Sequence, residues 1–330
     1  MSKLRLSDIA KAAGVSTASV SNALNYKTGI NTDKAESIRR LAAQMGYRTP
    51  AETDRRSMRF VIYRKHGKVV MDTAFFSQLI EGIQDECHRL GCDLLINKCT
   101  GEDDITELLD RPMLLLATEM NGDDLVPFEK MAHPILLLDS DFRFEDYSSV
   151  SIDNQEAGYL AAKYLIGKGH RSFGFLGSSL GFNNMEDRYR GFVYALKSEG
   201  FGLPVSIQVE PTVEGAYIDM YRYIENNAGN LPSAIFAGND IMAMGAIRAL
   251  KGQGYKLPDD ISIIGMDDMP MCQVIEPALS TIRVDKTRLG RIAVDRLWEM
   301  MKYNEKTPIR IRMGVSVVER ESVKSVSGEE

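Results

Sequence analysis

From Phe60 onward, apolar runs of strand length alternate with helical patterns, and this alternation confines most of the chain to parallel sheets covered by helices. The runs at 60–63, 93–96, 113–117, 135–138, 172–176, 206–209, 234–237 and 261–265 read as strands. Between them, apolar residues at i, i+3 and i+4 predict helices over 76–90, 155–167, 185–199, 214–226, 241–253 and 287–301. So many strands exceed one simple unit. Two doubly wound units side by side are the economical arrangement, with a ligand in the cleft at the carboxyl ends of their strands.

The first 59 residues have a different texture. Residues 6–25, LSDIAKAAGVSTASVSNALN, read as two short helices joined by a turn on Gly14, a helix-turn-helix. Ser7 is the expected cap of the first helix, Asp8 lies in its first turn, and Ile9 and Ala13 form its inward stripe. Gly14 supplies the left-handed backbone that reverses the chain, and Val15 plugs the crevice between the helices. Ser16 caps the second helix, 17–24, where Val20 and Leu24 face inward. Its short polar residues Thr17, Ser19, Ser21 and Asn22 let a helix lie deep in the major groove.

A helical hairpin on an enzyme would show the same glycine turn, but two neighbouring facts favour DNA. A third helix over 32–45 carries Ile38, Leu41, Ala42 and Met45 on one face, which completes a small core. Residues 1–59 hold eleven Lys and Arg against five Asp and Glu in a chain of net charge −6, so positive charge gathers beside the reading helix while the body is acidic. The polar stretch 48–59, RTPAETDRRSMR, reads as a linker.

Other classes lack their signatures. No apolar segment follows a basic start and no apolar run approaches about 20 residues, so a cytoplasmic chain without membrane insertion is expected. Cys87, Cys92, Cys99 and Cys272 have neither CxxC nor metal-ligand spacing and read as small core hydrophobes, so no metal is expected. There is no GxGxxG after a strand and no GxxxxGK[ST], and no GxSxG or HExxH surrounds His66, His88, His133 or His170. His170, in a helix-to-strand turn, reads as a structural hydrogen bonder. Neither a cofactor nor a catalytic constellation is expected.

The helix-turn-helix, Gly46-Tyr47, Asp72 with Phe75-Phe76, SIDNQEAG at 151–158, GHRSFGFLG at 169–177 and EDRYRGF at 186–192 occur in order. They are followed by AGNDIMAMGAIRAL at 237–250, LPDDISIIGMDDMP at 257–270, PALSTIRVD at 277–285 and a closing VVERESV. Together these motifs resemble the LacI/GalR family of bacterial transcription regulators over nearly the whole chain. The resemblance implies a small all-α helix-turn-helix domain plus an α/β core of two doubly wound parallel-sheet lobes, similar to periplasmic binding proteins. It implies a homodimeric, cytoplasmic repressor of carbohydrate genes that binds operator DNA and a small effector, a sugar or sugar derivative, between the lobes.

The resemblance divides the chain into a DNA-binding domain at 1–48, a hinge at 49–59 and a core at 60–330. Lobe 1 would comprise about 60–153 and 284–308, and lobe 2 about 154–283 and 309–323. Crossings are expected near Asp153, near 282–284 and near 307–311. Ser7, Ser16, Thr17, Ala18, Ser19, Ser21, Asn22, Asn25 and Tyr47 are the implied DNA-binding residues, and Asp72, Phe75, Asp153, Arg188, Asn239, Asp240 and Asp267 the implied effector-binding residues. Arg188 offers a bidentate fork, Asn239 and Asp267 suit vicinal hydroxyls, and Phe75 can stack on a sugar face. An inter-lobe salt bridge is the alternative for Arg188, a helix-start charge for Asp240, and a plain core position for Phe76.

Three departures stand out. The hinge is short and lacks the family's leucine, leaving Met58 either as an apolar minor-groove wedge or as the start of the first strand. Asn22 stands where an arginine is common, so the family's usual operator does not carry over. The tail SVKSVSGEE holds no leucine heptads, so a tetramer built on a terminal coiled coil is not expected. The competing functions are a stand-alone sugar receptor, which the basic helix-turn-helix opposes, and an enzyme acting on a sugar or nucleoside.

Overall fold

The computed structural model describes residues 5–24, 32–45, 47, 57–68, 74–101, 103, 105–227 and 229–326. Three helices form the amino-terminal unit: α1 (Leu6–Ala13), α2 (Thr17–Leu24) and α3 (Thr32–Gln44). Ile9, Ala10, Val20, Ala23, Leu24, Ala35, Ile38 and Ala42 close its core, with Val15 and Tyr47 packed against it. Gly14 ends α1 in the left-handed region at φ 62°, where a side chain would be strained. Ser16 caps α2, its Oγ accepting the Ser19 N–H at 3.1 Å. The expected cap at Ser7 is not found: Arg5 holds that place, with its N–H donating to Asp8 Oδ2 at 2.8 Å, and Ser7 lies exposed within the first turn. Arg39 ties α3 to α2 through the Ala23 carbonyl at 3.1 Å.

The core contains two six-stranded sheets. The first joins β1 (Ser57–Arg64), β2 (Asp93–Thr100), β3 (Met113–Leu116), β4 (Ile135–Leu138), β5 (Ser148–Ile152) and β11 (Arg310–Met313) in the order β11-β5-β4-β3-β1-β2. The second joins β6 (Phe173–Ser178), β7 (Val205–Val209), β8 (Ala234–Ala237), β9 (Ser262–Asp267), β10 (Ser280–Arg283) and β12 (Ser316–Val318) in the order β12-β10-β9-β8-β6-β7. Among the described strands only β12 runs antiparallel, against β10. Phe60 sits between Ile96 and Leu114, both registers parallel.

Helices α4 (Ala74–Leu90) and α9 (Lys286–Tyr303) pack together in lobe 1, and α9 also lies on β3, β4 and β5. In lobe 2, α5 (Asn154–Gly167) packs on α6 (Asn183–Ser198), and α7 (Val213–Asn226) on α8 (Asp240–Gly252). The α5–α6 contact is close enough to require glycine. A Cβ on Gly158 would lie 1.9 Å from the Arg188 carbonyl oxygen, and one on Gly191 1.9 Å from that of Gln155. This approach fixes the height of Arg188 above the second sheet.

The lobes are joined at 153, at 284–285 and at 314–315. The third crossing therefore falls later than 307–311. Strand β11 pairs in parallel with β5, so residues 310–313 belong to lobe 1, not to a lobe 2 segment beginning at 309. The core also begins three residues before Phe60, since Ser57, Met58 and Arg59 are buried strand residues. Met58 is thus no minor-groove wedge. It is fully buried with Cys87 Sγ 3.6 Å from its Sδ, because an unbranched apolar side chain beside a sheet is better placed in the core than in water. All four cysteines are buried and unpaired by disulfides. Among the described residues no helix is long and apolar enough to cross a membrane, and no group of His, Cys, Asp and Glu is arranged to hold a metal ion.

Candidate functional site

A cavity of about 390 Å³ opens between the lobes. Lobe 1 contributes Lys68, Phe75, Phe76, Thr118 and Asp139; lobe 2 contributes Phe182, Asn184, Met185, Arg188, Thr212, Asn239, Ile241, Asp267 and Met269. The polar groups follow strands: Asp139 follows β4, Asn239 lies just beyond β8, and Asp267 ends β9. This is where open α/β sheets gather ligands, since side chains at strand ends face the crevice instead of the packed core. Aromatic and aliphatic walls complete the site.

Arg188 is held from two sides. Its Nε donates to Asn154 Oδ1 at 2.8 Å and its Nη1 to the Gly238 carbonyl at 2.5 Å. Arg188 makes no inter-lobe salt bridge with any of the described residues. Asn239 caps α8, its Oδ1 accepting the Met242 N–H at 2.9 Å, which leaves its amide NH2 as the group available to a ligand. Thr118 donates to Asp139 Oδ2 at 2.8 Å. Asp139 Oδ1 and Asp267 Oδ1 are buried with no hydrogen-bond partner among the described residues.

The backbone at both acids is strained, with φ 62° at Asp139 and φ 113° at Asp267. Non-glycine residues adopt such values only where the surroundings enforce them. Burial pushes the Asp139 carboxyl up to about 7, with the nearby Asp267 adding to the rise and the Thr118 hydrogen bond and Arg188 charge opposing it. Burial also raises Asp267, against the pull of Arg188 and Lys286. A pair of buried acceptors beside a fixed guanidinium is an arrangement that hydroxyl or N–H donors would satisfy.

Of the residues expected here, Phe75, Arg188, Asn239 and Asp267 line the cavity together, and Phe76 lines it as well as being core. Asp240 does not. It is fully buried, binding Thr281 Oγ1 at 2.6 Å and the Met269 N–H at 2.9 Å, and so holds the loop after β9 from behind. Asp153 caps α5 by accepting the Glu156 N–H at 2.9 Å and lines a separate small crevice with Asp141, Asp187 and Arg312. Asp72 lies outside the described residues. Asp139, Asn184, Thr118 and Lys68 went unrecognised in the sequence. For Asp139 a signal existed, an acid directly after the apolar run ILLL, of the same kind that singles out Asp267. His170 is buried, its Nδ1 3.2 Å from Ser233 Oγ, in keeping with a structural role.

In the amino-terminal unit, Ser16, Thr17 and Ala18 are exposed at the start of α2, while Ser19, Ser21 and Asn22 are half-buried. Ser16 and Ser19 hydroxyls lie 2.9 Å apart. Tyr47 is packed on the small core, and Asn25 lies outside the described residues.

Residues 5–50 match the family described as bacterial regulatory proteins, lacI family, and residues 146–323 match the periplasmic binding protein-like domain. The chain is 30% identical to the HTH-type transcriptional repressor PurR of Haemophilus influenzae, over 97% of this chain and 99% of that one. Identity to the PurR repressor of Mannheimia succiniciproducens is 29%, over 98% and 99% of the two chains. Among solved structures, the regulator CelR in complex with cellobiose superposes with a TM-score of 0.73 at 20% identity, over 97% of this chain and 99% of that one. The lac repressor dimer bound to operator and an anti-inducer gives 0.71 at 20%, over 98% and 100%. A LacI family regulator from Enterococcus faecium with bound ribose gives 0.71 at 24%, over 82% and 100%.

Proposed function

Because the chain belongs to the LacI family of bacterial transcription regulators, and is therefore a ligand-responsive DNA-binding repressor and not an enzyme, we propose that its effector is a small polyhydroxylated molecule. The reading extends to a homodimer on a pseudopalindromic operator that controls carbohydrate uptake or catabolism. Arg188, Asn239 and Asp267 hold the effector, Phe75 packs on its apolar face, and Asp139 and Asn184 complete the polar set. On the DNA side, Ser16, Thr17, Ala18, Ser19, Ser21 and Asn22 meet the major groove, with Ser7, Asn25 and Tyr47 as further DNA-binding residues.

The observation that carries the effector chemistry is the pair of buried carboxylate oxygens, Asp139 Oδ1 and Asp267 Oδ1, which have no hydrogen-bond partner among the described residues and belong to two side chains lining a cavity bounded by aromatic residues. Vicinal hydroxyls donate to such acceptors, and the apolar flank of a sugar ring suits an aromatic wall. Thermal-shift screening of neutral sugars, sugar phosphates and planar nitrogen heterocycles, followed by calorimetry, tests this. A neutral sugar should stabilise the protein. Asp139→Asn and Arg188→Met should each weaken its binding by about 1.5–3 kcal/mol, the worth of a hydrogen bond to a charged group. Binding confined to planar heterocycles, or unaltered sugar affinity in both variants, would overturn the reading.

A further inference from the structure

We propose that Lys68 and Glu210 form a latch that holds the two lobes closed over the cavity, Lys68 serving as a positioning residue instead of a ligand contact. The proposal rests on the cavity being the effector site for its regulatory meaning, but its geometry is independent of any ligand. Lys68 Nζ, on the segment after β1, reaches Glu210 Oε2, just past β7, across the cleft at 2.8 Å. Lys68 belongs to the cavity wall and Glu210 directly precedes the wall segment Pro211–Val213.

What makes this pair more than a chance surface contact is the anchoring of both ends. The buried side chain of Glu119 accepts three successive backbone N–H groups, from Lys65 at 2.8 Å, His66 at 3.0 Å and Gly67 at 2.9 Å. Successive amides converging on one carboxylate form a nest, a rigid anion-binding turn. Lys65 is pinned in addition by its Nζ to Asp124 Oδ2 at 2.7 Å. On the opposite side, the Glu210 N–H donates to Asp219 Oδ2 at 2.9 Å, and Thr212 Oγ1 to Glu210 Oε1 at 3.3 Å. A flexible lysine thus starts from a fixed strap and meets a fixed carboxylate, which removes much of the ordering cost that weakens exposed ion pairs. The rings of His66 and Phe182 meet edge to face at 5.4 Å beside it. Deeper in the cleft, Asn184 Nδ2 donates to the Asp139 carbonyl at 2.7 Å. The cavity lies between these two bridges, so releasing the outer one opens the mouth while the inner one remains.

The test reads lobe separation directly, so it can fail without touching the effector assignment. Because the four native cysteines are buried, Asp123→Cys on lobe 1 and Ser206→Cys on lobe 2, both at exposed positions, accept spin labels selectively in the full-length protein. Pulsed electron–electron distance measurement should show Lys68→Met and Glu210→Gln each shifting the closed-to-open ratio about two- to fivefold toward open, the range an ion pair of this exposure supports. The double variant should shift no further. Raising sodium chloride to about 1 M, where the screening length is about 3 Å, should open the wild type and leave either single variant unmoved. Exchanging the charges, Lys68→Glu with Glu210→Lys, should restore closure. Unchanged distances in the single variants, or single effects that add in the double, overturn the latch.

Discussion

Asp139 concentrates the tension of the cleft in one side chain: fully buried, in a left-handed backbone, with one oxygen bound by Thr118 and the other without a partner among the described residues. Its carboxyl titrates near 7 when folded because burial opposes the charge, whereas an unfolded aspartate titrates near about 3.9. The folded state therefore binds more protons between those values, and stability falls as pH rises through that window. Asp139→Asn should accordingly raise Tm at pH 8 and much less at pH 5; at roughly 1.4 kcal/mol per pKa unit the gain is several kcal/mol at most. An equal gain at both pH values would mean that the acid is not held protonated by burial. Effector hydroxyls donating to the same oxygen favour the charged form, so sugar binding near pH 7 should release a proton. Calorimetry in buffers of different ionisation enthalpy would detect that release.

At the scale of elements, α2 carries the base-reading prediction. Asn22 lies on its half-buried side near the inward residues Ala23 and Val20, and its amide can pair oxygen and nitrogen with adenine N6 and N7, where an arginine would prefer guanine. Selection of bound sequences by wild type and Asn22→Ala should show discrimination relaxed by about 1–3 kcal/mol at one symmetric pair of positions; uniform weakening would mark a phosphate contact instead. The helix-turn-helix was legible because local signals suffice there: a glycine turn, a serine cap and inward residues at helical spacing. The six long helices of the core were legible for the same reason, whereas β5, β10, β11 and β12 were not. Strand β5, SSVSI, is buried throughout, and its serines conceal that; Ser148 Oγ is satisfied from a distance by the Ile309 N–H at 3.1 Å. Strand β11 is a half-exposed edge, RIRM, assigned to lobe 1 only by its pairing with β5, and without that pairing the third crossing falls in the wrong place. The cavity was half legible. Asn239, Asp267, Asp139 and Thr118 all follow apolar runs of strand length and so carry a local signal, while Asn184 and Lys68 become site residues only when the lobes meet, which no local spacing encodes.

The whole molecule is electrically divided, with eleven basic against five acidic side chains in the first 59 residues of a chain whose net charge is −6. The amino-terminal unit grips phosphate while the acidic body is repelled by it, so operator affinity should fall steeply with salt, and effector effects must be compared at one ionic strength. If the protein acts as the proposed dimer, repression and effector binding are coupled through the lobes, because its two reading helices are then held at a fixed half-site spacing that depends on how the cores sit. Coupling of this kind is reciprocal. A sugar that changes operator affinity tenfold must bind tenfold more weakly or more tightly when operator is present, a difference of about 1.4 kcal/mol within the usual 1–3 kcal/mol range. Titrating the sugar into the full-length protein with and without saturating operator at matched salt measures that factor, and the factor found for operator in the presence of sugar must equal it. Lys68→Met, by releasing the outer bridge, should weaken sugar binding to the free protein and thereby alter the amount of sugar needed for the response. If sugar affinity is the same with and without operator, the cleft does not communicate with the reading heads, and whatever it binds is not the regulatory signal.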